Sequence, residues 1–192
     1  MPKAIIFDLN GIFIQSPKLS DRFRDDFGVS NNEFLPALKE IMDKVRRPNA
    51  QPAFTLWRPY LEKWGVKLAE KEFLDFWFSA EKANTEMLTL AKNLKQQGIK
   101  LFILSNNFAE RAKFYDETFP WFKELFEKVY YSWQTGFIKP DPRCWQNLLA
   151  ENNLKPADYV YFDDSSTNVE IANDLGIKAY LFTKINPIKS IL

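Results

Sequence analysis

The stretch "AIIFDLNGIF", residues 4–13, sets the architecture of the chain. Four apolar residues run uninterrupted into Asp8, the pattern of a strand buried on both faces rather than the alternation of a half-exposed one. Strands of that kind belong to parallel sheets, where ligands sit beyond the carboxyl ends. Asp8 stands at such an end. Two residues further on, where a second acid would work beside it, the chain has Asn10.

Working outward, similar short apolar runs recur at Lys3–Phe7, Lys100–Leu104, Lys128–Ser132, Asp158–Phe162 and Ile177–Phe182. Between the later ones lie helical patterns: Thr85–Gln97 stopped by Gly98, Asp141–Asn152 opened by Pro142, and Ser166–Leu175 stopped by Gly176. Strand and helix alternating over short loops predict an α/β, Rossmann-like parallel sheet with helices on both faces. Residues 16–84 break the rhythm. "FLPALKEIMDKV", "LWRPYLEKWG" and "EFLDFWFSA" place apolar residues at helical spacing with no convincing strand among them, which predicts an all-helical cap inserted after the first strand. The expected division is a core of residues 1–15 and 85–192 and a cap of residues 16–84.

Composition narrows the chemistry. With 192 residues and 46% hydrophobic content the chain can bury a substantial core. The 26 basic and 25 acidic side chains nearly cancel, so no global charge argues for nucleic acid or an anionic membrane. No apolar run is long enough for a membrane span, and "MPKAIIF" reaches Asp8 without a signal-peptide core, so a soluble, cytoplasmic protein is expected. A single cysteine, Cys144, excludes an intrachain disulfide and a thiolate zinc cluster. The absence of histidine removes histidine-based relays and imidazole metal sites. Catalysis is left to carboxylates, lysine, hydroxyls, amides or a metal held by oxygen.

Four polar clusters meet that requirement at four successive strand ends: Asp8; Ser105, Asn106 and Asn107; Lys139 after a short loop; and Asp163 with Asp164. One carboxylate at a strand end is usually a helix cap or a solvated group. Three carboxylates, an amine and a hydroxyl on one sheet edge suit a phosphate monoester and a hard cation such as Mg2+. In that reading Asp8 and Asp164 supply oxygens to the ion, Lys139 neutralises phosphoryl oxygens, Ser105 hydrogen-bonds them, and Asp8 is the candidate nucleophile.

These residues resemble, in order, the four motifs of the haloacid-dehalogenase-like (HAD) hydrolase superfamily: "FDLNG" at 7–11, "LSNN" at 104–107, "GFIKPDP" at 136–142 and "FDDSSTN" at 162–168. The helical insert is similar to the small cap of many members, and the wider pattern to the branch with sugar-phosphate phosphatases and the phosphatase domain of soluble epoxide hydrolases. The resemblance implies Asp8 as nucleophile and metal ligand, Ser105 and Asn106 at the phosphate, with Asn106 alternatively orienting its loop, Lys139 as the phosphate amine, and Asp164 as the metal carboxylate. Asp163 would stand behind the ion or reach it through a water, Asn168 would order that loop against a plain reading as a helix cap, and Asn107 would only shape a turn. It further implies a small phosphorylated metabolite as partner. The paired acids Asp163 and Asp164 argue for phosphate and Mg2+ over carbon-halogen chemistry.

Asn10 qualifies this. Family phosphatases usually carry Asp there, protonating the leaving alkoxide and activating the hydrolytic water, and an amide does neither. In the family the metal contact at this position comes from the backbone carbonyl, so the resemblance implies that Asn10 keeps that role in a site that binds metal and phosphate and turns over slowly. The alternative is a catalytically weak HAD-fold protein that binds a phosphometabolite or a protein partner. A phosphorylated receiver domain shares the chemistry but lacks a helical insert. The Asn10–Gly11 pair also favours deamidation, which would restore an acid. Arg46, Arg47, Trp57 and Arg58 are the cap candidates for choosing a substrate, against a plain reading of each as a solvated basic turn or bundle packing.

Overall fold

The computed structural model describes residues 2–185; the expected core boundary at residue 192 lies outside the described residues. Five parallel strands form the central sheet: β1 (Ala4–Phe7), β4 (Lys100–Ser105), β5 (Lys128–Tyr131), β6 (Tyr159–Asp163) and β7 (Lys178–Leu181), in the order β5-β4-β1-β6-β7. The run that ends in Asp8 is the central strand, and that position explains its unbroken apolar character. Ile5 and Phe7 point into one core with Leu101, Ile103 and the apolar face of α5 (Thr85–Gln96). Ala4 and Ile6 point into the other, with Phe102, Tyr161 and Trp145 of α9 (Arg143–Glu151). Both faces are covered, as expected for a parallel sheet. The same layers take in α6 (Ala109–Thr118), α7 (Trp121–Leu125), the single turn α8 (Ser132–Thr135) and α10 (Ser166–Asp174).

The insert is a four-helix cap: α1 (Leu19–Phe27), α2 (Asn31–Val45), α3 (Ala53–Lys63) and α4 (Glu70–Phe78). Its core is aromatic, with Phe34 stacked on Trp57 at 5.2 Å between centroids and Phe73 at 5.6 Å from the same indole. Trp57 is fully buried there, so truncating it to alanine would cost about 3–5 kcal/mol. One expectation is corrected at the junction. A two-residue strand β3 (Lys82–Ala83) inside the supposedly strand-free insert pairs antiparallel with β2 (Ile14–Gln15). Two residues carry no readable alternation, so only the tertiary approach of the two crossings reveals this ribbon. Asn84 locks it: its Oδ1 accepts from the Met87 amide, capping α5, while its Nδ2 donates to the Ile12 carbonyl at 3.0 Å. The cap also docks on α6, where Glu110 accepts from the Ala53 amide at 2.6 Å and Phe108 meets Trp77 at 5.2 Å. Among the described residues no helix is long and apolar enough to cross a membrane.

Candidate active site

The parallel register aligns the polar strand ends. Phe7 lies opposite Ile103 on one side and Phe162 on the other, so Asp8 is level with Asp163, and Ser105 stands one residue beyond on β4. The Asp8 amide donates to the Phe162 carbonyl at 2.9 Å, after which the chain turns sharply, with three successive amides, Ile12 to Ile14, pointing at the Leu9 carbonyl. Gly11 makes this turn possible. Its φ of +88° is left-handed, and a Cβ there would sit 2.7 Å from Asp164 Oδ2. The first and last polar clusters therefore approach each other only because that residue has no side chain.

Lys139 is the centre of the cluster. Its buried Nζ donates to Asp8 Oδ1 and to Asp163 Oδ2, each at 2.7 Å, and to the Tyr161 hydroxyl at 3.3 Å. Asp8 and Asp163 both raise its pKa against the opposing effect of burial. Burial pushes Asp8 up to about 6 despite the opposing pull of Lys139. Asp163 is buried too, yet Lys139, the Tyr161 hydroxyl and the Ser165 amide hold it below its ordinary value. Asn168 donates to both Asp163 oxygens, at 3.1 and 3.0 Å, while Ser165 caps α10. Asn168 therefore orients the carboxylate rather than capping the helix. Asn106, a phosphate or loop candidate, has its amide engaged by one backbone unit: Oδ1 accepts from the Lys139 amide at 2.8 Å and Nδ2 donates to the Lys139 carbonyl at 2.9 Å. That geometry serves loop orientation. Asn107 accepts from the Phe108 amide and shapes the turn, as expected.

Four observations make the cluster suited to a cation and an oxyanion. Ligand oxygens of Asp8, Asp163 and Asp164 all lie within 4.8 Å of one another, and one ammonium offsets only one of the three charges. Asp164, exposed at the rim of the cluster, makes no ion pair among the described residues, and partial desolvation with the Asp163 charge raises its pKa, as in a carboxylate short of a counter-charge. The Asn10 carbonyl accepts no hydrogen bond among the described residues, which leaves an oxygen donor beside them. An all-oxygen donor set of this kind fits Mg2+. The Ser105 hydroxyl is buried without a partner, a costly arrangement unless a ligand supplies one.

The Asn10 side chain is turned toward the core helix α6, where its Nδ2 donates to the Tyr115 hydroxyl at 2.8 Å. Tyr115, Arg111 and Glu81 form a buried group behind it, with Arg111 Nη2 2.6 Å from Glu81 Oε1. Sequence reading missed all three. Arg111 and Tyr115 share one helical face, but nothing in the chain shows that this face meets Asn10. Tyr161 was also missed, although as a strand residue two before Asp163 it must point to the same side of the sheet. A cavity of about 480 Å³ opens beside the cluster, bounded by Asn10, Arg111 and Asp164 of the core and by Met42, Arg46 and Trp77 of the cap. Of the cap candidates, Trp57 lies in the aromatic core, and Arg47 and Arg58 are exposed and line other hollows. Arg46 alone reaches the site.

The family described as haloacid dehalogenase-like hydrolase matches residues 5–182. The bifunctional epoxide hydrolase 2 of Mus musculus is 28% identical over 93% of this chain, which spans 36% of that protein's length. The phosphorylated carbohydrates phosphatase of Thermotoga maritima is 23% identical over 92% of this chain and 82% of its own. A HAD family enzyme from Bacteroides thetaiotaomicron, solved with magnesium and inorganic phosphate, superposes with a TM-score of 0.80 at 22% identity, covering 95% of each chain.

Proposed function

We propose that this chain, which belongs to the haloacid dehalogenase-like hydrolases, is a Mg2+-dependent phosphatase that hydrolyses a small phosphomonoester of the sugar-phosphate kind. One observation carries the reading: Asp8 and Lys139, 131 residues apart in sequence, meet at 2.7 Å within the three-carboxylate cluster. Residues Asp8 and Asp164 and the Asn10 carbonyl would hold the ion. When bound, Mg2+ offsets the carboxylate charge and polarises the phosphoryl oxygens. Lys139 holds Asp8 Oδ1, leaving Oδ2 to attack phosphorus; the Asp8 oxygen–phosphorus bond forms as the ester oxygen departs with its electron pair. Ser105 and the Lys139 ammonium hold the phosphoryl oxygens. Water then cleaves the aspartyl-phosphate at phosphorus, returning Asp8 and releasing inorganic phosphate.

Asn10 supplies no proton to the departing alkoxide and takes none from the water, so both steps run without general acid-base help worth about 10²–10⁴ in rate. Slow turnover follows. The name of the Thermotoga maritima relative supports a phosphorylated carbohydrate as the substrate class. The test is a panel of phosphomonoesters assayed with Mg2+ and with EDTA, for wild type and Asp8→Asn. Release of phosphate that needs both Mg2+ and Asp8 supports the proposal. Phosphate or ester binding without any Asp8-dependent turnover favours a phosphometabolite-binding protein instead.

A further inference from the structure

The chemistry above uses one end of the 480 Å³ cavity and leaves a basic wall unexplained. Arg111 is accounted for, since its Nη2 and Nε donate to the buried Glu81 at 2.6 and 2.8 Å. Arg46 is not. It follows the last residue of α2, makes no ion pair among the described residues, and has its Nε buried without a hydrogen-bond partner. Burial and the Arg111 charge lower its pKa, with Asp43 and Asp8 opposing. Guanidinium groups nonetheless stay protonated in proteins, so Arg46 is a desolvated cation lacking an anion.

Its surroundings suggest which anion. The cavity that Arg46 lines is also bounded by Asn10 and Asp164, neighbours of Asp8 and Asp163, so Arg46 faces the same hollow as the edge of the phosphoryl site. The planar fork of a guanidinium matches a carboxylate or a phosphate. Met42 and Trp77 supply apolar surface for the carbon skeleton between the two charged ends.

We propose that Arg46, with Arg111 behind it, is a specificity-determining residue for a second anionic group, so that the substrates of this enzyme are phosphomonoesters carrying a further carboxylate or phosphate. The inference rests on the phosphatase reading for the position of the first phosphoryl group.

The test uses phosphonates, whose carbon–phosphorus bond the enzyme does not cleave by this route. Mg2+-loaded wild type, Arg46→Gln and Arg46→Lys are titrated calorimetrically with alkylphosphonates of three to six carbons and with their counterparts ending in carboxylate or in a second phosphonate. Plain alkylphosphonates report on the first site. The expected result is about a tenfold gain in affinity, or about 1.4 kcal/mol, from the terminal anion at one or more chain lengths. Arg46→Gln abolishes that gain and Arg46→Lys keeps part of it, which mere repacking would not produce; circular dichroism checks that both variants fold. Comparing the two terminal groups tells carboxylate from phosphate. If plain alkylphosphonates bind but no terminal anion adds affinity, or the gain survives in Arg46→Gln, the inference is overturned and the phosphatase reading stands. If the plain alkylphosphonates fail to bind, the phosphatase reading fails first and takes this one with it.

Discussion

Replacing Asn10 by aspartate gives the sharpest test of the chemistry. In the wild-type site the Asn10 amide nitrogen donates to Tyr115, whose hydroxyl burial keeps protonated far above neutrality. In Asn10→Asp the same 2.8 Å contact reverses, with the Tyr115 hydroxyl donating to a carboxylate on a residue that lines the cavity beside Asp164. General acid-base catalysis then adds about 10²–10⁴ in kcat/KM for alkyl phosphates, or roughly 3–5 kcal/mol of barrier. An aryl ester such as p-nitrophenyl phosphate needs no proton on its leaving group, so the first step gains far less. Hydrolysis of the aspartyl-phosphate still needs a base. Wild type should therefore release a burst of p-nitrophenolate of about one per active site and then slow, with the burst missing in Asp8→Asn and the slow phase accelerated in Asn10→Asp. Stopped-flow absorbance reads both phases. A wild type without a burst, together with Asn10→Asp no faster than wild type on alkyl phosphates, would refute the assignment of Asn10 as the missing acid and base.

Other outcomes follow from the same geometry. The raised pKa of Asp8, about 6, means that below this pH the carboxylate holds a proton the ion must displace; Mg2+ affinity, followed by calorimetry, should be full above pH 6 and fall up to tenfold per unit below it. Ser105→Ala should leave thermal stability unchanged within about 1 kcal/mol, because the hydroxyl it removes has no partner, while weakening inorganic phosphate binding in a titration. Gly11→Ala should lose about 1–2 kcal/mol of stability from its left-handed backbone alone, and Mg2+ affinity as well, since the new methyl displaces Asp164; denaturant melts and metal titration measure the two effects. The Asn10–Gly11 pair should resist deamidation in the folded protein, because Gly11 donates its amide to Ile14 at 2.8 Å and the Asn10 side chain is tied to Tyr115; peptide mass mapping that finds aspartate at residue 10 after native storage would contradict this.

Asp8, Ser105 and the Asp163–Asp164 pair could be recognised from the chain because each sits at the end of a short apolar run, with Lys139 in the loop that follows another, and parallel strands bring their ends to one edge whatever the side chains do. Local pattern implies long-range proximity in that case. The division into sheet and helical insert was readable for a similar reason, since short unbroken apolar runs and apolar residues at helical spacing leave different traces in the chain. Arg111, Tyr115 and Glu81 had no such trace. Their importance comes from one helix face meeting the Asn10 loop and from the cap settling on α6, contacts between segments that share no sequence signal.

Arg46 marks the boundary between the two kinds of knowledge. A basic pair in a loop looks alike in any chain, and its neighbour Arg47 is indeed exposed. Which of the two is desolvated depends on the angle at which the cap closes over the sheet, a property of packing between α2, α4 and the core that no run of adjacent residues encodes. Backbone periodicity places chemistry along strands and helices, whereas desolvation and charge partnership arise only when distant surfaces exclude water from between them.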